Sequence, residues 1–89
     1  MSRYHKIIIK EQEAGSPAEL HELLSRELRF PDYYGANLDA LEDCLGDVCE
    51  RTRIVIKRSK RERKPWFDRF VEVIADVAQR NGFLNCVVR

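Results

Sequence analysis

The sequence predicts an α/β fold, a three-stranded parallel sheet flanked by helices, and three observations lead there. Two short β-branched runs, Ile7-Ile8-Ile9 and Ile54-Val55-Ile56, are continuously apolar instead of alternating, the pattern of parallel strands covered on both faces. Around them lie stretches whose apolar residues recur at helical spacing. The resulting order of strand, two helices, strand, helix, strand suits parallel strands joined by right-handed crossovers. At 89 residues the chain supports one modest core, so residues 1–89 are expected to form a single domain with no deep substrate pocket.

The first strand is expected over Tyr4 to Lys10, followed by a polar turn from Glu11 to Gly15. Ser16-Pro17-Ala18-Glu19 then reads as a capping box: the serine oxygen takes a free backbone N–H, proline tolerates the first helical position, and glutamate reaches back. Leu20, Leu23, Leu24 and Leu28 form one helical face, and Pro31 takes the chain out of helix by residue 30. Residues 31–36 make a compact loop, and Asn37 is placed to N-cap a second helix running through Leu45 and closing near Gly46. After the second strand, Lys57 to Lys64 is strongly basic and aperiodic. Pro65 opens a third helix with a stripe of Trp66, Phe67, Phe70, Val71, Ile74, Val77 and Ala78, read as core packing. Asn81-Gly82 stops it, and Phe83 to Val88 forms the last strand.

Composition narrows the function. Charged residues at 35% against 44% hydrophobic fit a folded, water-soluble module. The N-terminal stretch holds only three isoleucines before charge returns, too few for a signal peptide or for a span of roughly 18 residues, so a cytoplasmic location and no membrane contact are expected. Cys44, Cys49 and Cys86 are odd in number and lack metal-ligand spacing, which predicts reduced, mostly buried thiols and neither a disulfide framework nor a metal site. His5 and His21 are far apart and no serine or cysteine sits in a nucleophile motif. The chain is therefore not expected to be an enzyme or to need a cofactor or small-molecule substrate.

Charge is unevenly spread. Residues 1–50 hold eleven acids and five bases, residues 51–89 four acids and eleven bases, and residues 31–50 contain six acids (Asp32, Asp39, Glu42, Asp43, Asp47, Glu50) and no base. At about 100° per residue, Leu38, Ala40, Leu41, Cys44, Leu45 and Val48 share one arc of the second helix, and Asp39, Glu42, Asp43, Gly46 and Asp47 the other. Like charges four residues apart, as in Asp39 and Asp43, cost a few tenths of a kcal/mol, on the order of what an opposite pair contributes. Asp39 near the helix start gains from the macrodipole, but Asp43 and Asp47 do not. A solvated helix face is the ordinary explanation; a surface for a basic partner is the sharper one.

The fifteen residues from Pro31 through Leu45, with Tyr33-Tyr34-Gly35 leading into Asn37-Leu38-Asp39-Ala40-Leu41 and then Asp43-Cys44, resemble the signature of the barstar family. The resemblance implies a barstar-like fold and an intracellular protein inhibitor that lays this loop and helix across the active site of a barnase-type ribonuclease or related toxin domain, as in toxin immunity. Carried over by position, it makes Tyr33, Tyr34, Gly35, Asn37, Leu38, Asp39, Ala40 and Asp43 the contact surface, with Asp43 the principal anchor where substrate phosphate binds. Glu42 and Asp47 join them from the acidic arc. Where the family has tryptophans on and just after this helix, this chain has Glu42 and Val48; the family's acidic contact on the last helix falls on Val77, beside Asp76.

The rival from another class is a nucleic-acid-binding module using the basic segment 51–64, whose eight bases are dense enough for phosphate contacts. No aromatic is interleaved within that segment, no known nucleic-acid motif is present and the acidic helix would oppose RNA, so no direct nucleic-acid partner is expected.

Overall fold

The computed structural model describes residues 4–89; residues 1–3, the start of the stretch weighed against a signal peptide, lie outside the described residues. In chain order the elements are β1 (His5–Lys10), a single 3₁₀ turn (Glu11–Glu13), α1 (Pro17–Leu28), α2 (Leu38–Gly46), β2 (Thr52–Lys57), α3 (Pro65–Arg80) and β3 (Leu84–Val88). The three strands run parallel in the order β1-β2-β3, with Ile7 beside Ile54 and Ile54 beside Cys86. The expected α/β architecture is the one formed.

One face of the sheet receives all three helices. Ile7, Ile9, Ile54, Ile56 and Leu84 meet Leu20 and Leu24 of α1, Leu41 and Leu45 of α2, and Phe67, Phe70, Ile74 and Val77 of α3 in a single core. The expectation that β1 is covered on both faces is therefore corrected: Ile8 is 46% exposed. Because α1, α2 and α3 all contribute to that one core, no helix among the described residues lies behind the sheet. Among the described residues no helix is long and apolar enough to cross a membrane.

Helix ends follow local chemistry. Ser16 Oγ accepts the Glu19 N–H at 3.2 Å, while the Glu19 carboxylate lies against Gly15, where an added Cβ would come within 2.3 Å of it. Arg29 ends α1 in the left-handed region (φ 54°, ψ 51°), and the Phe30 N–H bonds back to Ser25 O at 2.9 Å. The chain thus leaves the helix two residues before Pro31.

The polar turn after β1 hides the largest surprise. Glu11 is fully buried, and its carboxylate accepts from Arg58 Nε (2.9 Å) and from the backbone N–H groups of Ser59 (3.0 Å) and Lys64 (2.8 Å). Lys64 Nζ donates to Glu11 O at 2.7 Å, and Arg58 also pairs with Asp68. Burial by itself would raise the Glu11 pKa, but the Arg58 bond, the two backbone donors and the Arg58 charge together bring it down to about 2. The basic segment is thus wrapped around one anion.

The thiols also need correction. All three are free, but Cys49 is exposed and Cys44 and Cys86 are only half-buried: Cys49 lies beyond the apolar arc of α2, Cys44 lines a surface depression beside Asp43, and Cys86 packs at the edge of the core. Alkylation should therefore reach Cys49 first.

Removing the Glu11 side chain strands two backbone donors and leaves Arg58 with only the exposed Asp68, so Glu11→Ala should cost about 3 kcal/mol or more in chemical denaturation. With its folded pKa below the ordinary value of 4.5, Glu11 contributes stability that is complete above about pH 4.5 and lost as pH falls toward 2. Acid titration of the unfolding free energy should show that decline, and Glu11→Gln should flatten it.

Candidate functional site

The loop after α1 and the whole of α2 build the site. Asn37 caps α2: its Oδ1 accepts the Ala40 N–H at 2.8 Å and its Nδ2 donates to Gly35 O at 3.4 Å. Gly35 needs to be small because a Cβ there would stand 3.0 Å from Asn37 Nδ2; the left-handed residue of this loop is Ala36 (φ 50°). Leu41 and Leu45 are wholly buried, which orients the opposite arc outward. Asp39 is exposed at the first turn, Asp43 is exposed at mid-helix, and Asp47 is exposed at the C-cap.

Among the described residues no ion pair involves Asp39, Asp43 or Asp47. Asp47 stands at the negative end of the helix dipole, where a carboxylate is disfavoured. The half-buried Cys44 thiol registers the field: burial pushes its pKa up, and the charges of Asp47 and Asp43 push it further. Asp43 and Asp47 also line, with Tyr33, Arg29, Phe30 and Val48, a depression of about 520 Å³. Tyr33 is 86% exposed at its rim.

The other predicted site residues divide by role. Tyr34 turns inward: its hydroxyl meets His21 Nδ1 at 2.5 Å and its ring lies 4.9 Å from that of Phe30. Burial, and secondarily the Cys44 charge, raises the Tyr34 pKa to about 12, while burial lowers that of His21. Tyr34 therefore ties the loop to α1. Leu38 and Ala40 are half-buried, with Leu38 facing Pro65, Asp68 and Arg69 of the α3 end. Glu42 is bound by Arg80 of α3 at 2.8 Å, and Arg80 also holds Asp76 at 3.0 Å. Val77 is core at 1% exposure.

Two further residues position the site. His21, a polar group beside Leu20 and Leu24, contacts Phe70 at 4.7 Å between ring centroids as well as Tyr34; its burial on an apolar stripe was the available signal. Asn81 ends α3 as expected, and its Nδ2 also donates to Leu45 O (3.0 Å) and Val48 O (2.9 Å), closing the C-terminal end of α2 from α3. No local pattern announces that.

A loop and an amphipathic helix locked at both ends, with three outward carboxylates unpaired among the described residues, form a surface suited to cationic groups. The family profile described as Barstar (barnase inhibitor) matches residues 4–88. The chain belongs to the barstar family. Barstar-family proteins are inhibitors and not enzymes. This barstar-family chain is also similar to the Putative ribonuclease inhibitor YrdF of Bacillus subtilis (strain 168), 55% identical over 40 residues. Those residues cover 45% of this chain and 44% of that relative, less than half the length of either.

Tyr34→Phe removes one buried hydrogen bond and strands His21, so it should cost about 1 kcal/mol or somewhat more. The loss should concentrate in faster amide exchange over residues 31–37. Asn81→Ala should instead raise exchange at the C-terminal turn of α2.

Proposed function

We propose that this protein is a cytoplasmic inhibitor of a barnase-type ribonuclease or a related toxin domain, and that it blocks the active site with the α2 face and the loop before it. The observation that carries this is Asp43: exposed, unpaired among the described residues, and sharing one depression with Tyr33 and Asp47 on a helix whose other side is immobilised. An enzyme that cleaves RNA must gather cationic side chains around the scissile phosphate. A carboxylate fixed on a helix takes the place of that phosphate through charge-assisted hydrogen bonds.

Within this reading the residues have separate tasks. Asp43 is the anion at the phosphate position, with Asp39 and Asp47 on either side supplying field. Tyr33 offers an amphipathic ring with only two rotors to immobilise. Glu42, already partnered by Arg80, carries a neutralised pair to the rim, which replaces the aromatic contact other family members make there. Tyr34, Gly35 and Asn37 hold the loop in shape. Acidic potential also accelerates encounter with a basic enzyme, and salt screens it beyond roughly 8–10 Å.

Calorimetry against a small basic ribonuclease of this type tests the assignment. Asp43→Ala should cost about 2 kcal/mol or more, roughly 30-fold in Kd, whereas Glu13→Ala, exposed beyond β1, should change little. Equal losses would remove Asp43 from its role. Tyr33→Ala should raise the dissociation rate, and added salt should slow association.

A further inference from the structure

The face of the sheet opposite the helices has a composition unlike any other part of the surface. By register and alternation it presents four rows across the strands: Tyr4, Arg51 and Phe83; Lys6, Arg53 and Asn85; Ile8, Val55 and Val87; Lys10, Lys57 and Arg89. The six cations are accompanied by no acid in any of these rows, and among the described residues the one ion pair made by any of them is Lys10 with Glu13 at 3.5 Å. The apolar row is buried at its centre, Val55 being only 3% exposed, and opens at the β1 edge, where Ile8 is 46% exposed. Tyr4 and Phe83 are 53% and 50% exposed, and the Arg53 guanidinium lies 5.4 Å from the Tyr4 ring centroid.

We propose that this uncovered sheet face binds single-stranded RNA. Strands about 4.8 Å apart set neighbouring cations close together, and four residues along a strand separate the two basic rows that flank the apolar strip by roughly 13 Å. A single strand laid parallel to the β-strands crosses all four rows in turn, so that its bases pass over Tyr4, Phe83 and the Ile8-Val55-Val87 row while its phosphates come within reach of Lys6, Arg53, Lys10 and Lys57. The rings of Tyr4 and Phe83 offer stacking surfaces at one end, the combination of aromatic platform and electrostatic groove that single strands favour. An acidic protein would use the cations but not the exposed rings, and an anionic membrane would call for an apolar centre that protrudes, whereas Val55 at the middle of the strip is buried. The acidic arc belongs to α2, which packs through α3 on the side of the sheet that the helices cover. The net charge of +1 thus conceals two surfaces of opposite sign.

The basic segment considered from sequence alone is not the centre of this surface. Arg58 and Lys64 are spent on Glu11, and only Arg51, Arg53 and Lys57 of that segment reach the sheet face.

Fluorescence anisotropy of a labelled 12-nucleotide oligouridine with the full chain tests the proposal at 50 and 200 mM NaCl. Binding should weaken with salt at a log–log slope of about −0.7 for each phosphate contacted. The triple variant Lys6→Glu/Arg53→Glu/Lys57→Glu should lose at least tenfold in affinity with a shallower slope. Tyr4→Ala/Phe83→Ala, which leaves charge untouched, should lose roughly tenfold and decides the matter if the triple variant fails to fold. Asp43→Ala should bind RNA as the parent does, which separates this surface from the inhibitory one. Absence of binding at 50 mM NaCl, an equal loss in Lys60→Glu/Arg61→Glu/Arg63→Glu, or capture by phosphatidylserine vesicles or polyglutamate without capture of the oligonucleotide would each overturn it.

Discussion

A nine-residue helix with like charges four apart does not hold together in water by its own propensity, because short helices fall below the length at which propagation repays nucleation. What makes α2 persistent is the complete burial of Leu41 and Leu45 against α3 and the sheet. That contact fixes rotation as well as position, and so decides which side chains face water. Every property of the acidic surface follows from it. Were the helix turned by one residue, Leu45 would leave the core and Asp43 would move toward it.

Packing alone leaves the ends of such a helix frayed, and here both are secured by polar groups from elsewhere. Asn37 closes the first turn locally, and Asn81 reaches across from α3 to the last carbonyls. The preceding loop is fastened to α1 through Tyr34 and His21. The long basic connection between β2 and α3 is ordered by the Glu11 carboxylate, which keeps the start of α3 beside β1. Rigidity matters to an inhibitor because each side chain already in place is ordering entropy that need not be lost on binding.

These contacts explain which parts of the molecule were legible in the sequence. Ile7 to Ile9, Ile54 to Ile56, the Ser16 and Asn37 caps and Pro65 are local signals, and the elements they announce are where they were expected. The two-arc division of residues 38–48 located the outward carboxylates, since helical period and burial agree there. Coverage of β1 was misjudged because a continuous isoleucine run cannot say whether a second helix layer exists, and here all three helices share one face. Glu11, His21, Arg80 and Asn81 were not legible in their roles. Their partners lie 13 to 53 positions away, and no periodicity carries information about a bond of that span.

Two surfaces of opposite sign share one small core, one offering carboxylates and the other ammonium and guanidinium groups. For the first, the central claim is that its anion occupies the position of a substrate phosphate. Competition calorimetry tests this most directly: a barnase-type ribonuclease is titrated with the protein while a mononucleotide 3′-phosphate saturates the active site. The account predicts mutual exclusion, with apparent affinity falling in proportion to nucleotide occupancy; an affinity indifferent to the nucleotide would contradict it.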